Sequence, residues 1–137
     1  MPDTAAPPFA QQITWVYTYD LLNTARFYTE LMGLEMVLDQ GSCRVFRTSA
    51  TSFIGVCQRP DRDVEPKGVI LTVLTPDLDA WHAKLTAAGA DVVGPPTHSA
   101  AYQARAFVCR DPEGYRIEFQ WFDDPRWRLP ENVPAVP

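Results

Sequence analysis

The sequence predicts an α+β fold built from two tandem strand-helix-strand-strand-strand units, and three observations carry that prediction. Two segments share one pattern, ITWVYTYD followed by LLNTARFYTELMGLEMV and VILTVLTPD followed by LDAWHAKLTAAGADVV. In each, a β-prone run passes through a junction aspartate into apolar residues at helical spacing, and the helix then meets a glycine. Three further β-prone stretches follow each helix: GLEMVLDQ, CRVFRT and SFIGVCQ in the first half, and ADVVGP, YQARAFVCR and GYRIEFQWF in the second. One such unit cannot bury its own apolar sheet face, so two copies or two subunits must complete the structure.

Taken in order, residues 1–10 read as an arm, because prolines there and in 123–137 cannot donate to a ladder or continue a helix. One domain spans 11–122, with module one at 11–59 and module two at 67–122. Leu21, Ala25, Tyr28 and Met32 form the first helical stripe before Gly33, and Leu78, Trp81, Leu85 and Ala88 the second before Gly89. Asp20 and Asp77 stand at the two strand-to-helix junctions, where a short carboxylate suits free helix N–H groups. Asp111-Pro112-Glu113-Gly114 is a tight-turn signal ahead of the last strand. The Pro-rich C-terminal arm, 123–137, carries Trp127 and Leu129, apolar surface able to pack on the body or on a partner.

The 137 residues suffice for a core without staples. A formal charge of −5 with scattered basic residues argues against a nucleic-acid surface. No apolar run approaches the roughly 20 residues of a bilayer span, and the first residues lack a signal-peptide pattern, so a cytoplasmic protein is expected. Cys43, Cys57 and Cys109 form no close Cys-x-x-Cys pair, so buried free thiols are expected.

The string DLLNTARFYTELMGLEMV resembles the first-helix signature of the vicinal oxygen chelate superfamily, which includes glyoxalase I, bleomycin-resistance proteins and extradiol dioxygenases. RDPEGYRIEFQ resembles its closing turn and strand, and the resemblance covers about residues 13–122. It implies paired βαβββ modules whose mixed β-sheet curls into a cup with helices outside, and a homodimer. Metal-dependent members hold one divalent ion with residues of the first and last strand of each module. Here those places fall on Ile13 and Ile70, on Glu118, and on Val56 when SFIGVCQ is matched to GYRIEFQ. Aliphatic side chains cannot coordinate a cation, and one carboxylate is too few donors. The expectation is therefore no cofactor and no metal, with one alternative: a bulge in the first strand that brings in Gln12 as a ligand.

If positions 13, 56, 70 and 118 face the cup, strand alternation adds residues two apart from them. That places Ile13, Trp15, Tyr17, Ile54, Val56 and Gln58 in one half, and Ile70, Thr72, Leu74, Arg116, Glu118 and Gln120 in the other. The opposite parity, which includes Phe53 and Cys57, is almost wholly apolar and suits a helix-packed face. A greasy, aromatic cup with a polar strip suits a flat apolar or aromatic small molecule. Candidate binding residues are Trp15, Tyr17, Ile54, Val56, Ile70, Thr72, Tyr102 and Gln120.

Glu118 is the candidate general base and Arg116 the candidate oxyanion stabiliser, with an ordinary ion pair between them as the plain alternative. His98, in the loop GPPTHSAAYQ, is a candidate acid or base, or else a surface histidine. Three functions compete: a metal-independent small-molecule binding protein, a cofactor-free lyase, isomerase or cyclase using Glu118, and a metal-dependent glyoxalase or dioxygenase.

Overall fold

A computed structural model describes residues 6–59 and 68–127. The first module runs β1 (Gln12–Thr18), α1 (Leu21–Arg26), β2 (Glu35–Asp39), β3 (Cys43–Arg47) and β4 (Ser52–Gln58). The second runs β5 (Ile70–Leu74), α2 (Leu78–Ala87), β6 (Asp91–Val92), β7 (Thr97–Ser99), β8 (Ala104–Arg110) and β9 (Arg116–Phe122). The strands form two mixed sheets, ordered β1-β4-β3-β2 and β5-β9-β8-β6, with β7 also paired to β8. In each, the first strand lies parallel to the last strand of its own module, and the other pairs are antiparallel.

The helices form where the apolar stripes place them. Leu21, Ala25, Tyr28 and Met32 are all buried, as are Leu78 and Leu85, and burying a large apolar side chain contributes about 1.5–3 kcal/mol. After α1 the chain widens into a π-helical turn over Phe27–Leu31, with Met32 N–H donating to the Phe27 carbonyl. Both helices end at a glycine with positive φ, Gly33 at 68° and Gly89 at 77°, a conformation glycine adopts without a Cβ penalty. Asp20 caps α1 by accepting the Asn23 N–H at 3.2 Å. Asp77 makes no such side-chain cap; its own N–H donates to Thr75 Oγ1 at 3.1 Å.

Both helices pack on one side of the sheets, and a single core joins the modules: Val16, Phe46, Ile54 and Val56 from the first sheet with Leu71, Phe107, Ile117 and Phe119 from the second. Phe107 stacks on Phe119, with ring centroids 4.9 Å apart, and Trp81 of α2 lies on Phe119 at 5.5 Å. The modules are also latched by polar groups. Tyr28 Oη donates to Asp111 Oδ2 at 2.7 Å, Thr18 Oγ1 donates to Glu113 Oε1 at 2.8 Å, and the Tyr17 N–H donates to Tyr115 Oη at 3.4 Å.

Three expectations need correction. Cys43 and Cys57 are not free thiols; they face each other across β3 and β4 and form a disulfide, whereas Cys109 is buried and free. Their 14-residue separation spans a hairpin, a pairing invisible to a search for close Cys-x-x-Cys motifs. The stretch holding His98 is a short strand, β7, rather than a loop. The parity expected for β4 is reversed, as its ladder below shows. Of the terminal arms, residues 1–5 and 128–137, Leu129 among them, lie outside the described residues; Trp127 packs on Phe122 with centroids 4.8 Å apart.

Candidate functional site

Each sheet has one face under the helices and one open face, and the ladders decide which residue lies on which. In the first sheet, Ile13 pairs with Phe53, Trp15 with Gly55 and Tyr17 with Cys57. Paired residues share a face, so Phe53, Gly55 and Cys57 join Ile13, Trp15 and Tyr17 on the open side. Ile54 and Val56, expected in the cup, instead pair with Thr14 and Val16 and belong to the core beneath. Matching SFIGVCQ to GYRIEFQ slides β4 by one residue, and a one-residue slip exchanges the two faces of a strand. The counterpart of Glu118 is Gly55: Thr72 pairs with Glu118 as Trp15 pairs with Gly55.

That glycine is needed for close approach. A Cβ at position 55 would clash with Cε3, Cζ3 and Cδ2 of Trp15, so the indole lies flat on the Gly55 backbone. Its other surface is open, and Trp15 is 44% exposed. Aromatic residues flank it along the strands: the Arg47 guanidinium covers the Phe53 ring at 5.2 Å, and that of Arg59 covers the Tyr17 ring at 5.5 Å. The backbone N–H of Arg59 donates to the Thr18 carbonyl at 3.0 Å, which fixes the residue beside Tyr17.

The second open face carries Ile70, Thr72 and Leu74 beside Arg116, Glu118 and Gln120, with the expected parity. Glu118 Oε1 accepts a hydrogen bond from Thr72 Oγ1 at 2.9 Å, so its partner is threonine rather than Arg116. Arg116 instead lies opposite Arg110, which reaches Asp91 at 3.4 Å. His98 pairs with Arg105 on the helix side, where Arg105 binds Asp79 of α2 at 2.7 Å. The His98 ring sits 2.9 Å from Asp123 Oδ2 and does not share the face of Glu118. Tyr102 lies in the turn between β7 and β8, 77% exposed.

The places a divalent ion would use in the family fold hold Ile13, Gly55, Ile70 and Glu118. Three of the four offer no side-chain donor, and the β1–β4 register runs without a bulge from Gln12 to Thr18, leaving Gln12 on the face opposite Ile13. This donor set does not fit a metal ion. Among the described residues, no three His, Cys, Asp or Glu side chains cluster in a way that could hold one.

Sequence reasoning overlooked Phe53, Gly55, Arg47 and Arg59. One signal was available: a glycine inside a strand otherwise rich in bulky residues marks a place where another group approaches closely.

Paired βαβββ modules with a helix-covered core and open sheet faces define the class of protein. The family model of the Glyoxalase/Bleomycin resistance protein/Dioxygenase superfamily matches residues 10–119, and the chain belongs to that superfamily. No curated protein matches the chain in sequence. Among solved structures it is similar to a lactoylglutathione lyase from Agrobacterium tumefaciens, with 22% identity, 89% of this chain and 100% of that chain covered, and a TM-score of 0.71. A glyoxalase/bleomycin resistance protein/dioxygenase from Nocardioides aligns at 20% identity over 93% of each chain, TM-score 0.69. TioX from Micromonospora sp. ML1 aligns at 21% identity over 82% of this chain and 98% of that one, TM-score 0.69. Likeness at these identities establishes the fold, and no helix among the described residues is long and apolar enough to cross a membrane.

Proposed function

We propose that this chain binds a flat apolar or aromatic small molecule on the open face of its first sheet, without a metal ion. The observation that supports this reading is Trp15 laid against Gly55 with its outer surface open. A side chain held flat by the backbone beneath it offers a stacking surface at little entropic cost. Binding of planar aromatic compounds by metal-stripped protein, lost in Trp15→Ala and without chemical change of the compound, is the expected result. A requirement for added metal, or unaltered binding by Trp15→Ala, rejects it.

The functional unit is proposed to be a homodimer. β1 and β5 each end their sheet, and Ile13, Val69 and Ile70 there are more than 40% exposed, an apolar margin that a second copy would cover. Sedimentation equilibrium checks this, and a monomer at high concentration contradicts it. The site is proposed to work in the cytoplasm; because the cytosol keeps thiols reduced, a Cys43–Cys57 bond found intact by rapid thiol trapping in cells contradicts this.

A second reading is favoured by the Thr72–Glu118 hydrogen bond, which holds one carboxylate oxygen and leaves Glu118 beside Arg116 and Gln120 on the same face. In a cofactor-free lyase, isomerase or cyclase, Glu118 would take a proton and Arg116 would meet the oxyanion. Glu118→Gln should then abolish turnover and spare the fold; unchanged rates exclude it.

A further inference from the structure

The charge of the ligand is written beside Trp15. The chain is acidic, at −5, yet the two charged groups stacked on the aromatics that flank Trp15 are both guanidinium ions. Phe53 and Tyr17 pair with Ile13 and Cys57, one row to either side of the Trp15–Gly55 row. With a strand rise of about 3.3 Å per residue, four residues from Phe53 to Cys57 put those flanking rows roughly 13 Å apart. A ligand of one or two fused rings centred on the indole therefore ends within reach of one guanidinium or the other.

The acid paired with Arg47 is held loosely. Glu35 lies opposite Arg47 in the β2–β3 ladder, with Oε2 3.6 Å from Nε, and the two side chains are 71% and 41% exposed. An exposed pair of this kind contributes little, so a ligand carboxylate can replace Glu35 at small cost. A planar guanidinium binds a carboxylate through two parallel N–H groups, and one already stacked on a ring has lost little freedom still to be given up. A cationic ligand, by contrast, would meet like charge at both ends of the platform.

We infer that the ligand of this face is a planar aromatic carboxylate, its ring stacked on Trp15 and its charge met by Arg47. This rests on the reading that the first open face binds a small molecule. The test uses three probes of one shape, 2-naphthoate, 2-naphthalenemethanol and 2-naphthylmethylammonium, titrated calorimetrically into the full chain at low salt. Naphthoate should bind about fivefold tighter than the alcohol, the size of one exposed charge contact, and the ammonium more weakly than either.

Arg47→Gln, with thermal melts to check folding, should reduce the preference for naphthoate and leave the alcohol unaffected. Glu35→Gln, which removes the competing carboxylate, should strengthen naphthoate binding. Equal affinity for all three probes, preference for the ammonium, or a Glu35→Gln variant that binds naphthoate no better overturns the charge assignment and leaves the platform standing. Failure of all three probes to bind, or binding that Trp15→Ala does not weaken, overturns the platform and this inference with it.

Discussion

Tyr28 donates its phenolic hydrogen to Asp111 Oδ2 across 2.7 Å, joining the π-helical turn of module one to the turn before the last strand of module two. Both residues are buried, at 0% and 4% exposure. The second carboxylate oxygen accepts the backbone N–H groups of Glu113 and Tyr115, each at 2.9 Å. Asp111 therefore shapes its own turn and holds the neighbouring module. Removing the Tyr28 hydroxyl leaves a buried acceptor short of a partner, and Tyr28→Phe should cost about 1–3 kcal/mol in urea unfolding.

The same carboxyl gives a pH dependence of defined sign. Burial pushes Asp111 above its ordinary range, against opposing hydrogen bonds from Tyr28 and from the Tyr115 and Glu113 backbone. Burial and then the Asp111 charge hold the Tyr28 phenol well above its own range, so it remains the donor. Because the folded carboxyl keeps its proton more tightly than the unfolded one, its contribution is fully present below the unfolded pKa. It is lost as pH rises through the folded value. Asp111→Asn does not titrate, so the stability of wild type relative to the variant should fall as pH climbs from below the usual aspartate range through the raised value. A difference that stays constant or grows over that range contradicts the assignment.

Gly55 and Trp15 should be coupled. Gly55→Ala drives a methyl into the indole, and overpacking of this kind costs about 1–3 kcal/mol. In a Trp15→Ala background the methyl meets open space, so the same substitution should be nearly silent. A double-mutant cycle in urea measures the difference, and additive effects would mean that the ring does not rest on Gly55.

Much of this fold was legible because it rests on periodicity. The stripe Leu21, Ala25, Tyr28 and Met32 and the run IEF around Glu118 declare their buried faces locally, and the structure agrees with them. β4 did not, because SFIGVCQ is apolar at nearly every position and five of its residues are buried consecutively. With no polar alternation to mark the outer face, only the ladder to β1 fixes its parity. The disulfide and the Arg47–Phe53 contact were hidden for the same reason: each joins strands across a register that composition does not set. His98 was misplaced because three residues after Pro95-Pro96 are too few for a strand signal.

Glu113 offers a test of how the modules hold together. Its Oε1 accepts from Thr18 Oγ1 at 2.8 Å and from the Tyr19 N–H at 3.1 Å. Thr18 has one hydroxyl proton; the carboxylate is the stronger acceptor, which leaves Thr24, 2.8 Å away, as donor to Thr18. Glu113→Ala breaks this chain at its anchor and should cost about 1–3 kcal/mol. Amide exchange at Tyr19 should rise as well, and protection there equal to wild type would place the inter-module latch elsewhere.

The Cys43–Cys57 bond makes a chemical prediction about three thiols. Cys57 and Cys109 are buried and Cys43 is partly exposed, and burial pushes the Cys109 thiol up to about 11. Thiolate is the reactive form, so Cys109 should resist alkylation in the folded protein. The unreduced protein should therefore take up no maleimide quickly and should weigh two hydrogens less than the reduced form. After reduction, Cys43 should react ahead of Cys57 and Cys109. A cross-link closing a loop of 14 residues stabilises by about 3 kcal/mol, so the Cys43→Ser, Cys57→Ala double variant should unfold at lower urea than the oxidised protein and close to the reduced one. Rapid labelling of Cys43 in the unreduced protein, or a double variant as stable as the oxidised form, would show that the bond does not hold β3 to β4.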